Sequence, residues 1–118
     1  MKYQLWAFLA LTASVGAQQP LPRQMLDAHN RLRALVGTPP LIWSEDLASY
    51  AQEWADRLLK RRQFSHRPHR VYGENLYTIA GATATPRQVV RSWAAESANY
   101  DYNSDTCRGV CGHYTQII

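Results

Sequence analysis

No stretch of the chain carries the roughly 20 consecutive apolar residues that a membrane-crossing helix needs. The apolar run from Leu5 to Leu11 is too short, and it is quickly followed by Gln18, Gln19 and Pro20. Cysteine is nearly absent, with Cys107 and Cys111 the only two. Neither an HExxH helix nor a Gly-x-Ser-x-Gly elbow occurs, which removes two familiar hydrolase signatures. Internal repeats and low-complexity linkers are also missing. The basic excess is small: 13 Lys and Arg against 9 Asp and Glu give a formal charge of +4. With no RNA- or DNA-binding motif and no interleaved aromatics beside the basic residues, a nucleic-acid partner is set aside.

The chain opens with a leader. Lys2 supplies a positive start, Leu5 to Leu11 an apolar centre, and Val15-Gly16-Ala17 a small-residue cleavage site. The expectation is a signal peptide over 1–17, a linker over 18–23 and one domain over 24–118. Pro20 and Pro22 separate the leader from the first helix of the domain. Removing the leader deletes Lys2 and lowers the charge from +4 to +3. About 100 residues then remain, enough for one hydrophobic core. An oxidising compartment favours a disulfide between Cys107 and Cys111, closed over only Arg108, Gly109 and Val110. A two-cysteine metal site is the rival reading.

Apolar periodicity places the elements. Met25, Ala28, Leu32, Leu35 and Val36 recur at helical spacing until Gly37, Pro39 and Pro40 stop the pattern. Ser44 is a good N-cap for a second helix whose stripe is Leu47, Tyr50, Ala51, Trp54, Ala55 and Leu58. Lys60-Arg61-Arg62 closes it. Together with Arg57, Arg67 and Arg70 these cations read as a solvated helix end, with an anionic lipid headgroup contact as the alternative. Tyr72 to Ile79 reads as a short strand or extended segment. Thr85, Pro86 and Gln88 form a capping-box pattern that starts a third helix, fading near Asn99. Tyr100 to Gly112 reads as a polar loop closed by the disulfide. His113 to Ile118 alternates as a strand, with His113, Thr115 and Ile117 on one face.

Three motifs then stand in order: Gly73-Glu74-Asn75-Leu76-Tyr77, Trp93-Ala94-Ala95-Glu96 with Tyr100, and Cys111-Gly112-His113-Tyr114-Thr115-Gln116-Ile117-Ile118. They resemble the CAP superfamily of cysteine-rich secretory proteins, antigen-five allergens and plant pathogenesis-related proteins. Asp27-Ala28-His29-Asn30, Arg33 and Leu41-Ile42-Trp43 look like the opening of the same domain. The resemblance covers about Gln24 to Ile118. It implies an α+β fold, an α-β-α sandwich in which three or more helices flank a small, mainly antiparallel sheet. The family's closing strands are missing, so the sequence reads as C-terminally incomplete.

The resemblance also implies a cleft of two His and two Glu side chains. Glu74, Glu96 and His113 lie within matching motifs, and His66 of Phe64-Ser65-His66-Arg67-Pro68 is the fourth, with His69 as its rival. Imidazole nitrogens and carboxylates suit Zn²⁺ or another divalent ion, with His66 and His113 as ligands and Glu74 and Glu96 as ligands or supporting groups. The same four groups could instead tie loop, helix and strand in a metal-free hydrogen-bond network. The resemblance implies a secreted, non-enzymatic module that binds sterols, fatty acids or a partner protein, of a defence or host-interaction type. A metal-dependent hydrolase using the tetrad is the alternative; neither reading requires a further cofactor. Among other residues, His29 and Asn30 are expected to bond backbone of neighbouring elements, and Trp43, Trp54 and Trp93 to anchor the core.

Overall fold

The computed structural model describes residues 19–118, and the leader expected over residues 1–17 lies outside them. The described residues form α1 (Leu21–Leu35), α2 (Glu45–Arg61), α3 (Pro86–Ala94), a 3-10 turn (Ala95–Asn99), β1 (Tyr100–Asp101), β2 (Thr106–Cys107) and α4 (Gly112–Ile117). This is an α+β arrangement.

Local chemistry sets the helix ends. α1 begins at Leu21 with Pro22 in its first turn, where the missing N–H has no partner to lose. Residues 21–23, expected as linker, therefore belong to the helix. Its end is marked by Gly37 in the left-handed region at φ 75°, open to glycine without a Cβ penalty. In α2 the Ser44 hydroxyl accepts from the Leu47 amide, Glu45 and Asp46 occupy the positive first turn, and Lys60 and Arg61 occupy the last. α3 carries the full capping box. The Gln88 amide donates to Thr85 Oγ1 at 3.3 Å, and the Thr85 amide donates to Gln88 Oε1 at 2.8 Å.

Two expectations are corrected. His113 to Ile118 is not a strand, because Gly112–Ile117 is the helix α4. Cys111, Tyr114 and Ile117 are buried at a spacing of three, which fits a helix face and not the alternation read from the sequence. The Glu96 carboxylate stabilises that turn by accepting the amides of His113 at 2.9 Å and Tyr114 at 3.4 Å. Of the two readings of Tyr72 to Ile79, a short strand or an extended segment, the strand does not form, and the segment has no regular secondary structure. The two strands lie instead inside the stretch read as a loop, where Tyr100 pairs with Cys107 and Asp101 with Thr106 in antiparallel register.

The Cys107–Cys111 disulfide joins β2 to the start of α4 across a Cα separation of 5.8 Å. Tyr102 meets both Tyr100 and Tyr114 edge-on, Tyr100 and Tyr114 are tilted at 60°, and the Tyr102 and Tyr114 hydroxyls are hydrogen-bonded. Asp101 accepts from Arg108 at 2.6 Å and from the Asn103 and Ser104 amides, which holds its carboxyl below the usual range. The Tyr100 hydroxyl donates to Asp105, and its pKa is raised above 10.0 by that bond.

The core lies where α3 packs between α1 and α4. Val90, Tyr114 and Ile117 are buried there, and each such side chain contributes about 2 kcal/mol relative to exposure. Arg33 fastens α1 by donating to the carbonyls of Pro39 and Ile117. Asn30 bonds both backbone groups of Leu41, as expected, whereas His29 bonds Met25 within its own helix. α2 stands apart. Of its predicted stripe only Trp54 is buried, and Trp43, expected as an anchor, is 39% exposed.

Candidate functional site

The segment from Phe64 to Tyr77 is the hub of the site, since it is bonded to α2, α3 and α4 in turn. Trp54 of α2 donates its indole N–H to the Ser65 carbonyl at 3.0 Å. Arg67, expected in the solvated basic cluster, turns inward: its guanidinium lies 3.6 Å from the Tyr50 ring centroid and bonds the Tyr50 carbonyl. Its Nε is the single buried side-chain polar atom without a partner among the described residues. On the other side, Trp93 of α3 donates to the Leu76 carbonyl at 3.2 Å. Asn75 donates its amide to the His113 carbonyl of α4 at 2.9 Å.

Gly73 explains itself here. A Cβ built at that position would collide with the amide end of the Gln116 side chain, which reaches from α4 onto the Gly73 backbone, so any larger residue here requires Gln116 to move. The Gly-Glu-Asn motif is thus a docking surface against α4.

The four expected side chains form two pairs. His66 Nδ1 lies 2.6 Å from Glu74 Oε1, which also accepts the Arg67 amide at 3.2 Å. His113 Nδ1 lies 2.6 Å from Glu96 Oε1, while Glu96 Oε2 serves the α4 amides. His69 is not brought to either pair; it is exposed, with φ at 53°. Each carboxylate is largely covered, with Glu74 15% and Glu96 18% exposed, whereas the His66 and His113 rings are 46% and 36% exposed. A carboxylate on Nδ1 selects the tautomer that carries the proton there and leaves Nε2 as an acceptor. The His113 ring is further held by stacking on Trp93, 6.5 Å between centroids and 10° between planes. Trp93 also meets His29 of α1 at 6.1 Å.

Beside this hub runs an apolar groove of about 680 Å³. Ala51, Trp54, Ala55 and Leu58 of α2 form one wall, and Leu76, Tyr77, Val89 and Trp93 face them. Four of the six α2 stripe residues that the sequence assigned to a core, Ala51, Trp54, Ala55 and Leu58, therefore line this groove, whereas Leu47 and Tyr50 do not. Glu74 stands at its edge, so the groove and the first Glu–His pair are contiguous.

The comparison with known proteins decides the lineage. The model of the cysteine-rich secretory protein (CAP) family matches residues 26–118. The chain belongs to the CAP family. Similar relatives include pathogenesis-related protein 1A of Nicotiana tabacum, 41% identical over 116 residues, 97% of this chain and 68% of that protein. Pathogenesis-related protein 1 of Arabidopsis thaliana is 38% identical over 93% of this chain and 71% of its own length. The basic form of pathogenesis-related protein 1 of Nicotiana tabacum is 40% identical over 94% of this chain and 62% of its length.

Within this CAP chain the donor geometry bears on the expected metal. Among the described residues no three His, Cys, Asp or Glu side chains are grouped to hold a metal ion. Each Nδ1 is committed to a carboxylate, which leaves each ring its Nε2, and two imidazoles alone fall short of the three or four protein ligands of a zinc site. As placed, the tetrad is two carboxylate–imidazole dyads and not one ligand cage. For acyl transfer a dyad would need a nucleophile in reach. Ser65 contributes its carbonyl to Trp54, and no hydrogen bond joins its hydroxyl to His66 among the described residues. Both carboxylates also hold backbone: Glu74 accepts the Arg67 amide within the 66–74 loop, and Glu96 accepts the His113 and Tyr114 amides in the first turn of α4. Asn75, Arg67 and Trp93 complete that frame, and sequence reasoning assigned Asn75 no role of its own. Its place inside Gly73-Glu74-Asn75 was the one available signal.

Proposed function

We propose that this CAP-family chain is an extracellular, defence-type protein that acts by binding and not by catalysis, and that its ligand is a sterol or fatty acid held in the apolar groove. The observation that carries the reading is the groove itself. Its volume of about 680 Å³ lies within the span of about 300–1,000 Å³ usual for small-molecule sites. Its lining is mainly aromatic and aliphatic, with Arg62, Gln63, Glu74, Asn75 and Thr78 as its polar groups. The names of the pathogenesis-related relatives support the defence setting, and the leader over 1–17 supports export.

The test is equilibrium binding of a fluorescent fatty acid and of a fluorescent sterol, with Ala55→Trp as the groove-filling variant. Saturable binding of one probe, weakened about tenfold or more in Ala55→Trp, is the expected result. Equal affinity of both proteins for each probe, or no saturable binding of either, would overturn it. Export is read independently by N-terminal sequencing of protein recovered from the medium. Cleavage after Ala17 makes Gln18 the first residue.

A further inference from the structure

The C-terminal end of α2 closes one end of the groove, since Leu58, Leu59, Arg62, Gln63 and Phe64 all line it. Cations gather at the same place. Arg57 is paired with Glu53 on the surface, and Arg67 lies on the Tyr50 ring, turned away from solvent. Lys60, Arg61 and Arg62 differ. Among the described residues no carboxylate stands within ion-pair distance of them, and all three are exposed.

The helix dipole alone accounts for cations at a helix end. It does not account for the large apolar side chains exposed beside them. Leu59 is 80% exposed and Phe64 is 58% exposed, on either side of the Lys60-Arg61-Arg62 run. A run of cations flanked by exposed Leu59 and Phe64 matches an interfacial lipid contact, in which the charges meet anionic headgroups and the apolar groups enter the acyl boundary. An acidic protein surface would match the cations and leave Leu59 and Phe64 unexplained.

We infer that the C-terminal end of α2 docks on an anionic lipid bilayer and turns the adjoining end of the groove toward the membrane that supplies its ligand. The docking stands on the charges and the exposed apolar pair; only the supply of ligand rests on the groove being a lipid site. Each basic residue near an anionic surface strengthens partitioning about fivefold, so Lys60 and Arg61 together are worth about 25-fold.

The experiment is co-sedimentation with phosphatidylcholine vesicles, with and without phosphatidylserine, over a range of salt. The protein is expected to bind the phosphatidylserine vesicles and to be released as salt rises. Lys60→Gln/Arg61→Gln is expected to bind them about 25-fold more weakly while keeping its affinity for a soluble fluorescent fatty acid. Leu59→Ser is expected to weaken vesicle binding at high salt as well as low. Equal partitioning onto neutral vesicles, or undiminished binding by Lys60→Gln/Arg61→Gln, overturns the docking. So does retention on polyglutamate-coated beads as strong as on vesicles, which assigns the cations to an acidic macromolecule. Vesicle binding with no fatty-acid binding supports the docking and removes the groove reading alone.

Discussion

At the scale of single residues, Glu96 carries more of the site than any other side chain. One carboxylate oxygen holds the His113 ring, and the other receives two amides of α4. Glu96→Ala leaves those donors without their charged acceptor and is expected to cost about 2 kcal/mol in urea denaturation. Glu96→Gln keeps one oxygen and should cost about half as much. If the site is one coupled unit, a double-mutant cycle with His113→Ala returns a clear interaction energy, and additive losses would reject that coupling. Much of this was legible in the sequence, because Glu96, Glu74 and His113 sit in motifs. The inward turn of Arg67 was not. A cation among five others reads as surface, and only the placement of Tyr50 one helical turn before Trp54 puts an aromatic face beneath it.

Among the elements, caps were readable and short segments were not. Ser44 and Thr85 announce α2 and α3 because their side chains satisfy amides a few residues away, an interaction contained within the local sequence. α4 was misread because six residues are equally consistent with either periodicity, and what decides is Glu96, which arrives from another element. The meeting of the Gly73 loop with α4 is tested by Gly73→Ala. Its methyl group collides with the end of a flexible Gln116 side chain, so the loss should be about 1 kcal/mol. Adding Gln116→Ala should restore most of it in thermal denaturation. The β1–β2 hairpin gives a pH signature. The Asp101 carboxyl is held below its ordinary value of 3.8, first by Arg108 and then by the Asn103 amide. Its stabilising contribution is therefore fully present above that ordinary value and is lost as pH falls through the folded-state pKa. Asp101→Asn should lower the melting temperature at neutral pH, and the gap from the unaltered protein should narrow in strong acid. A gap that stays constant with pH would assign the loss to shape and not to charge.

For the whole molecule, the decisive contrast is between a packed assembly of α1, α3 and α4 and an α2 held mainly through the hub segment. α3 packs on α1 and α4, with Val90, Tyr114 and Ile117 buried in that assembly, whereas α2 buries Trp54 alone and turns Ala51, Ala55 and Leu58 to the groove. A segment with few buried apolar contacts opens at lower free energy than the core does. Amide hydrogen exchange should therefore be slowest in α1, α3 and α4 and faster along α2. Filling the groove with a fatty acid supplies the missing apolar partner on both walls at once. Protection should then rise along α2 and around Leu76 to Val89, with little change in α4, which does not line the groove and whose first amides, His113 and Tyr114, are bonded to Glu96. At ligand about 100 times its dissociation constant, the linked stabilisation is about 2.7 kcal/mol, roughly a hundredfold slowing of exchange in the affected amides. Uniform slowing throughout the chain would mean that α2 already unfolds with the core. Slowing confined to α1 and α3 would place the ligand on the opposite face of α3, away from the groove.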